Sequence, residues 1–300
     1  MIELTQPLSS SNQIRKTFSV ISELGKFKIT FFVSVTTSFG YLLDSGDINY
    51  KMVLIAFAVF LMASGASAIN QVQEKDSDKN MNRTKIRPIP SGEIGSVFAF
   101  SLGLFLILVG SLFLLYWGGF IPFVLGLITF VWYNFIYTPL KKYSAFAIIP
   151  GSVVGALPPV IGWTASGGNL FDNTAIGLAL FFFIWQVPHF WLLLMIYDKE
   201  YKSVGFPVLT DVFNKYQLSR ISYAWIFGLG ISSLSLVIYD SNINYLMISI
   251  MVLMIIILLY FSSSLLSKNL GIKTFRKNFY YINIYVLLII AILSFEKLIK

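Results

Sequence analysis

The chain has 300 residues, 56% hydrophobic and 12% charged, with a mean hydropathy of +0.76. Soluble domains carry about 25% charged residues, so a cytosolic enzyme and a disordered chain are excluded, and the net charge of +8 reads as basic cytoplasmic loops rather than a nucleic-acid footprint. With no cysteine and one histidine, disulfides, thiolate metal sites, a cysteine nucleophile and multi-histidine metal sites are excluded too.

Residues 1–26 form a polar N-terminal arm. It lacks the apolar core of a signal peptide, and Glu3 and Glu23 argue against a transit peptide. The remainder, 27–300, reads as a single helical membrane domain. A membrane helix needs about 20 mainly apolar residues. In chain order the candidates are Phe27–Leu43, Met52–Asn70, Ile94–Tyr116, Phe120–Tyr137, Ser144–Trp163, Thr174–Tyr197, Ile221–Tyr239, Tyr245–Leu265 and Tyr280–Phe295. The first is the weakest, being rich in Thr and Ser. These runs are too long and too uniformly apolar for the alternating strands of a barrel.

The basic residues orient these nine spans. Arg15, Lys16, Lys26 and Lys28 precede or open the first. Lys75, Lys79, Arg83, Lys85 and Arg87 follow the second, and Lys141 and Lys142 the fourth. Lys199, Lys202, Lys215 and Arg220 follow the sixth, and Lys268, Lys273, Arg276 and Lys277 the eighth. Lys51, Lys297 and Lys300 fall on the other side. The asymmetry places the N-terminus in the cytoplasm and the C-terminus outside.

The second span runs into the most informative stretch, residues 70–92. If its helix continues past the membrane surface, Asn70, Glu74 and Asp78 share one stripe at i, i+4 and i+8, and Asp76 points away. Arg83 and Arg87 follow at the same interval, before Pro88 and Pro90 end regular structure. Oxygen ligands with one or two carboxylates suit Mg²⁺, whose remaining positions go to phosphate and water. Guanidinium groups suit phosphate oxygens. Together these residues read as a Mg²⁺–diphosphate site, against the alternative of a solvated loop with self-neutralising charges.

At the end of the fourth span, Asn134, Tyr137 and Thr138 precede Lys141 and Lys142. The two lysines either meet anionic groups or simply anchor the positive side. The sixth span carries Trp185-Gln186-Val187-Pro188-His189-Phe190 and ends at Asp198 and Glu200, on the same side as Glu74 and Asp78. Two acidic clusters at one face suit two Mg²⁺ ions on one diphosphate. The alternative is a surface charge cluster. An intramembrane histidine is costly and faces the bundle interior or a cavity. His189 then ligates haem iron, carries a proton or bonds an acidic substrate group. Otherwise it is a neutral ring bonded to a carbonyl on the neighbouring helix.

The order Asn70-x3-Glu74-x3-Asp78, then Met81-x-Arg83-Thr84-x2-Arg87-Pro88, resembles the first acidic motif of the UbiA superfamily of intramembrane prenyltransferases. Within it, the segments Tyr137–Lys142, Pro150–Trp163 and Trp185–Phe190, with Tyr201 and Gly205–Leu209, are similar to the haem-farnesylating branch. Glu74 stands where many members carry aspartate, and Asp198/Glu200 is a compressed second motif in which Glu200 matches better.

The resemblance implies nine transmembrane helices around a central cavity open to lipid. It implies an enzyme in which farnesyl diphosphate gives its C15 chain to a vinyl group of haem b and water adds, leaving haem O and diphosphate. Expected catalytic residues are Asn70, Glu74, Asp78, Arg83 and Arg87. Expected metal ligands are Glu74, Asp78, Asp198 and Glu200. Asn134, Tyr137, Lys141, Lys142, Gln186, His189 and Tyr201 are expected to bind substrate. Mg²⁺ is the expected cofactor, a bacterial plasma membrane the location with the active site at its cytoplasmic face, and a haem A synthase or terminal-oxidase assembly a neighbour. Two alternatives stand beside this: a different prenyl acceptor such as a quinone precursor, and a secondary transporter of an anionic solute.

Overall fold

The computed structural model describes residues 10–238 and 245–299. Residues 1–9 of the expected arm, Tyr239 at the end of the seventh expected span, and Lys300 lie outside the described residues. Ten helices carry the architecture: α1 (Ser10–Leu24), α2 (Phe27–Ser45), α3 (Tyr50–Asp78), α4 (Ser96–Gly118), α5 (Phe120–Leu140), α6 (Ile148–Ser166), α7 (Asn173–Ser203), α8 (Lys215–Ile238), α9 (Tyr245–Leu266) and α10 (Ile272–Ile299). There is no strand among the described residues. Eight of these, α3 to α10, are long and apolar enough to cross a membrane. The expected first span, α2, is a helix of 19 residues, but Lys28, Asp44 and its Ser and Thr residues keep it below that measure.

The composition of α2 follows from its packing. Thr30, Ser34, Thr36, Thr37 and Gly40 are all buried against other helices. A Cβ added at Gly40 would overlap the Pro159 carbonyl of α6, and one at Gly162 would overlap the Thr37 carbonyl of α2. Backbone therefore meets backbone along this seam, as small residues permit between membrane helices. α3 and α4 cross in the same manner, with a Cβ at Gly65 reaching 2.5 Å from Gly103 O and one at Gly110 reaching 2.7 Å from Ala58 O.

Two apolar cores flank the centre. One joins α7, α8, α9 and α10 to Phe39 and Trp163, through Phe181, Phe182, Leu229 and Ile289. The other joins α2 to α6 through Ile55, Met62, Leu114 and Ile161. The outward faces of α4, α5 and α9 expose Leu104, Ile128 and Leu253, as a lipid-facing surface does.

Two local departures from α geometry matter for the centre. α5 widens into a turn with i→i+5 bonding over Trp132–Tyr137, a distortion that rotates side chains off the regular register. Thr138 Oγ1 donates to Tyr133 O at 2.9 Å and closes that wide turn. In α7, Tyr197 leaves helical geometry (φ −111°, ψ 16°), which separates the membrane part from the segment carrying Asp198 and Glu200.

Candidate active site

A cavity of about 620 Å³ lies between the two cores, within the usual range for ligand sites. Its walls come from α2, α3, α5, α6, α7 and α10. One end is charged and the other aromatic.

The charged end is built on α3, whose helix runs without a break from Tyr50 to Asp78. That continuity puts Asn70, Glu74 and Asp78 on one face, all buried, with Asp76 exposed on the opposite face. Thr84 Oγ1 donates to Asp78 O at 3.0 Å and turns the chain back at the helix end. The return brings Arg87 Nη1 to 2.6 Å from Asp78 Oδ2. Lys141, just beyond α5, forms an ion pair with Glu74. Burial pulls the Lys141 ammonium down, but the charge and hydrogen bond of Glu74, with Tyr133 and Tyr201 nearby, together hold it above the ordinary lysine value.

Asn70 uses both ends of its amide. Its Nδ2 donates to Thr138 Oγ1 at 3.0 Å, and its Oδ1 accepts from Lys26 Nζ at 3.1 Å. Lys26 was counted in the sequence only as an arm charge. It lies between α1 and α2 in the left-handed conformation (φ 50°, ψ 47°), uncommon for a residue with a Cβ. That bend turns its side chain into the cavity wall. Burial, then the nearby charge of Arg87, bring its ammonium down to about 7. The signal available in the sequence was a Gly-Lys step where a polar arm meets a helix.

Of the second acidic cluster, Glu200 meets the loop that follows α3. Glu200 Oε2 accepts from the backbone N–H of Arg83 at 3.3 Å, and the Arg83 guanidinium lies 5.3 Å from the Tyr197 ring centroid. Arg83 lines the cavity, whereas Asp198 and Glu200 do not. Asp198 accepts from Thr210 Oγ1 and lies 3.6 Å from Lys202. Among the described residues, no group of three or more acidic or histidine side chains is gathered as a metal cage. The first motif therefore offers an amide oxygen and two carboxylates, a donor set that fits Mg²⁺ completed by phosphate oxygens.

The other expected residues divide. Tyr137, Gln186, His189 and Tyr201 line the cavity. Asn134 does not: it is buried, donating to Ala66 O at 3.0 Å and to Gln73 Oε1 at 3.2 Å, which ties α5 to α3. Lys142 is exposed and outside the wall, one residue past the inward-facing Lys141. At the aromatic end, the His189 ring packs against Trp185, Phe190 and Phe279 with centroids 4.9, 5.3 and 4.7 Å away. Its Nδ1 lies 2.9 Å from Asn283 Oδ1 on α10. The ring thus meets a side-chain carbonyl on a neighbouring helix while lining the cavity.

The UbiA prenyltransferase family model matches residues 33–291. The chain is 40% identical over 187 residues to the protoheme IX farnesyltransferase of Oleidesulfovibrio alaskensis, covering 62% of this chain and 66% of that protein. It is 44% identical over 165 residues to the protoheme IX farnesyltransferase of Geobacter sulfurreducens, covering 55% of this chain and 61% of that protein. The matches thus span slightly less than two thirds of these relatives' length. Among solved structures, a digeranylgeranylglyceryl phosphate synthase superposes with a TM-score of 0.76 at 18% identity, covering 95% of this chain and all of that one. A UbiA homolog from Archaeoglobus fulgidus, bound to GPP and Mg²⁺, superposes at 0.68 and 14% identity, covering 93% and 99% of the two chains. These two likenesses establish the fold.

Proposed function

The chain belongs to the UbiA prenyltransferase family, and from that premise we propose that it transfers the farnesyl group of farnesyl diphosphate to a vinyl group of protohaem IX, with water adding to the cation so formed, giving haem O and diphosphate. One observation carries the reading: a single cavity is lined both by Asn70, Glu74, Asp78, Arg87, Lys141 and Lys26 and by Trp185, Gln186 and His189. The first group suits a metal-bound diphosphate and the second a flat aromatic acceptor. The names of the similar proteins from O. alaskensis and G. sulfurreducens support this choice of substrates.

Asn70, Glu74 and Asp78 would hold Mg²⁺, which when bound draws charge from the diphosphate leaving group. Arg87 and Lys141 then exchange their carboxylate partners for diphosphate oxygens, and Lys26 adds a third cation beside them. Arg83 reaches the same mouth. These groups neutralise negative charge as it builds on the leaving diphosphate, which is where electrostatic stabilisation counts. Apolar side chains of the wall, including Val59, Met62 and Phe130, shield an allylic cation from early attack by water. His189 binds the haem. Tyr137, Gln186 and Tyr201 complete the wall around the substrates. The orientation that fits the basic residues is nine spans in a bacterial plasma membrane, the charged mouth facing the cytoplasm. A haem A synthase or an oxidase assembly would be the consumer of the product.

The test is the pigment extracted from membranes supplied with Mg²⁺, farnesyl diphosphate and haem b. Haem O is expected. Haem b alone, with prenylated 4-hydroxybenzoate in a parallel incubation, would instead indicate a quinone-precursor acceptor. Solute flux without diphosphate release would indicate a transporter.

A further inference from the structure

The amide of Asn283, on α10, determines which nitrogen of His189 is open to a ligand. Its Nδ2 donates to the backbone carbonyl of Phe279 at 2.5 Å. With the nitrogen committed to an acceptor, the amide orientation is fixed, and Oδ1 is the atom that faces His189 Nδ1 at 2.9 Å. An amide oxygen only accepts, so Nδ1 carries the ring proton. A neutral imidazole has one N–H, which leaves Nε2 with a free lone pair. Three aromatic rings surround the imidazole, and no carboxylate is paired with it among the described residues. An unpaired charge is costly in such surroundings, which favours the neutral ring. Nε2 has no hydrogen-bond partner among the described residues, yet it is not one of the unpartnered atoms sealed inside the packing. The residue itself lines the cavity.

A bare nitrogen lone pair cannot donate to a propionate carboxylate. It can donate electrons to a Lewis acid. Of the polar handles on haem, the iron is the one that takes such a donor. Resting on the haem reading above, we infer that Asn283 is a positioning residue: it holds His189 with Nε2 as an electron-pair donor, so that His189 meets the haem iron and not a propionate. A ligating histidine whose other nitrogen donates to an oxygen is also held in orientation and made more basic.

The test uses the full chain purified in detergent, with haem b added and no farnesyl diphosphate. Resonance Raman of the ferrous complex reads the iron–histidine stretch, and a Soret titration reads affinity. The wild type is expected to show the stretch and His189→Ala to lose it. Asn283→Asp keeps an acceptor and makes it anionic, so the band should persist and move to higher frequency. Asn283→Leu removes the acceptor, so the band should move lower and haem affinity should fall about tenfold. Binding of radiolabelled farnesyl diphosphate should be unchanged in all variants, which separates this effect from misfolding. A wild-type band and affinity in Asn283→Leu, or an unshifted band in Asn283→Asp, would overturn the role of Asn283 alone. Haem bound without any iron–histidine band, or a band that survives His189→Ala, would overturn iron ligation. A wild type that takes up no haem would overturn the acceptor reading itself.

Discussion

The ion pair between Arg87 and Asp78 can be a brace, a part of the catalytic site, or both, and a pair of substitutions separates these. The atoms lie 2.6 Å apart, with side-chain exposures of 15% and 3%. Most of both side chains is shut off from bulk water, although both touch the cavity. Breaking a buried pair by removing one charge costs about 3–5 kcal/mol, and the residual access to Arg87 points to the lower figure. Asp78→Asn should therefore lower thermal stability in detergent by about 3 kcal/mol. It should also cut haem O formation at least ~100-fold, the effect of losing one group that stabilises charge in the transition state. Adding Arg87→Met removes the orphaned cation. The double variant should regain stability to within about 1 kcal/mol, because a buried pair replaced by uncharged groups is often neutral. Turnover should stay down ~100-fold. Melting curves and haem O extracted from membranes give the two readings. Turnover that returns together with stability would show the pair to be a brace and remove it from the proposed mechanism.

Three further outcomes follow from the geometry. Gly40→Ala drives a methyl into the Pro159 carbonyl and should cost about 3 kcal/mol, seen as poor folding yield; normal yield and melting would contradict the tight α2–α6 seam. Lys26→Met removes a cation from the diphosphate end and should raise KM for farnesyl diphosphate about tenfold, with KM for haem b unchanged; equal effects on both would refute its placement. Asn134→Leu loses the bonds to Ala66 and Gln73 and should cost about 1–3 kcal/mol of stability while both KM values in the folded fraction hold; a selective KM change would return Asn134 to the substrate site.

The helical frame was readable because long apolar runs have few other solutions. The weakness of the first run was readable too, but its cause was not. Thr30, Ser34, Thr37 and Gly40 look poorly suited to lipid, and the structure shows all four buried, with Thr30 meeting Ser64 of α3 and with Thr37 and Gly40 against α6. The α3 stripe was legible because helical spacing alone aligns positions 70, 74 and 78. The place of Asn134, outside the cavity wall, is not legible for the complementary reason. A polar residue at the end of a span looks the same in sequence whether it faces a cavity or a neighbouring helix. Lys26 was hidden among the arm charges, since its role depends on a left-handed bend that no periodicity reports. Asn283 lies 94 positions from His189, and nothing local in the last span distinguishes it. The compressed second acidic motif was flagged by its spacing, and the structure adds the reason: Asp198 is occupied by Thr210 and Lys202, beyond the break at Tyr197.

The pairing of Glu74 with Lys141 and of Asp78 with Arg87 bears on how the cavity tolerates its own charges. Each of these two carboxylates already has a counterion, so neither stands as a bare anion in the cavity wall. On the proposed mechanism a metal-bound pyrophosphate would exchange these partners in place: the carboxylates of Glu74 and Asp78 would turn to the metal, and Lys141 and Arg87 to the phosphoryl oxygens. Loading and discharge thus resemble an ion exchange, without the steep solvation barrier that assembling those charges afresh would impose.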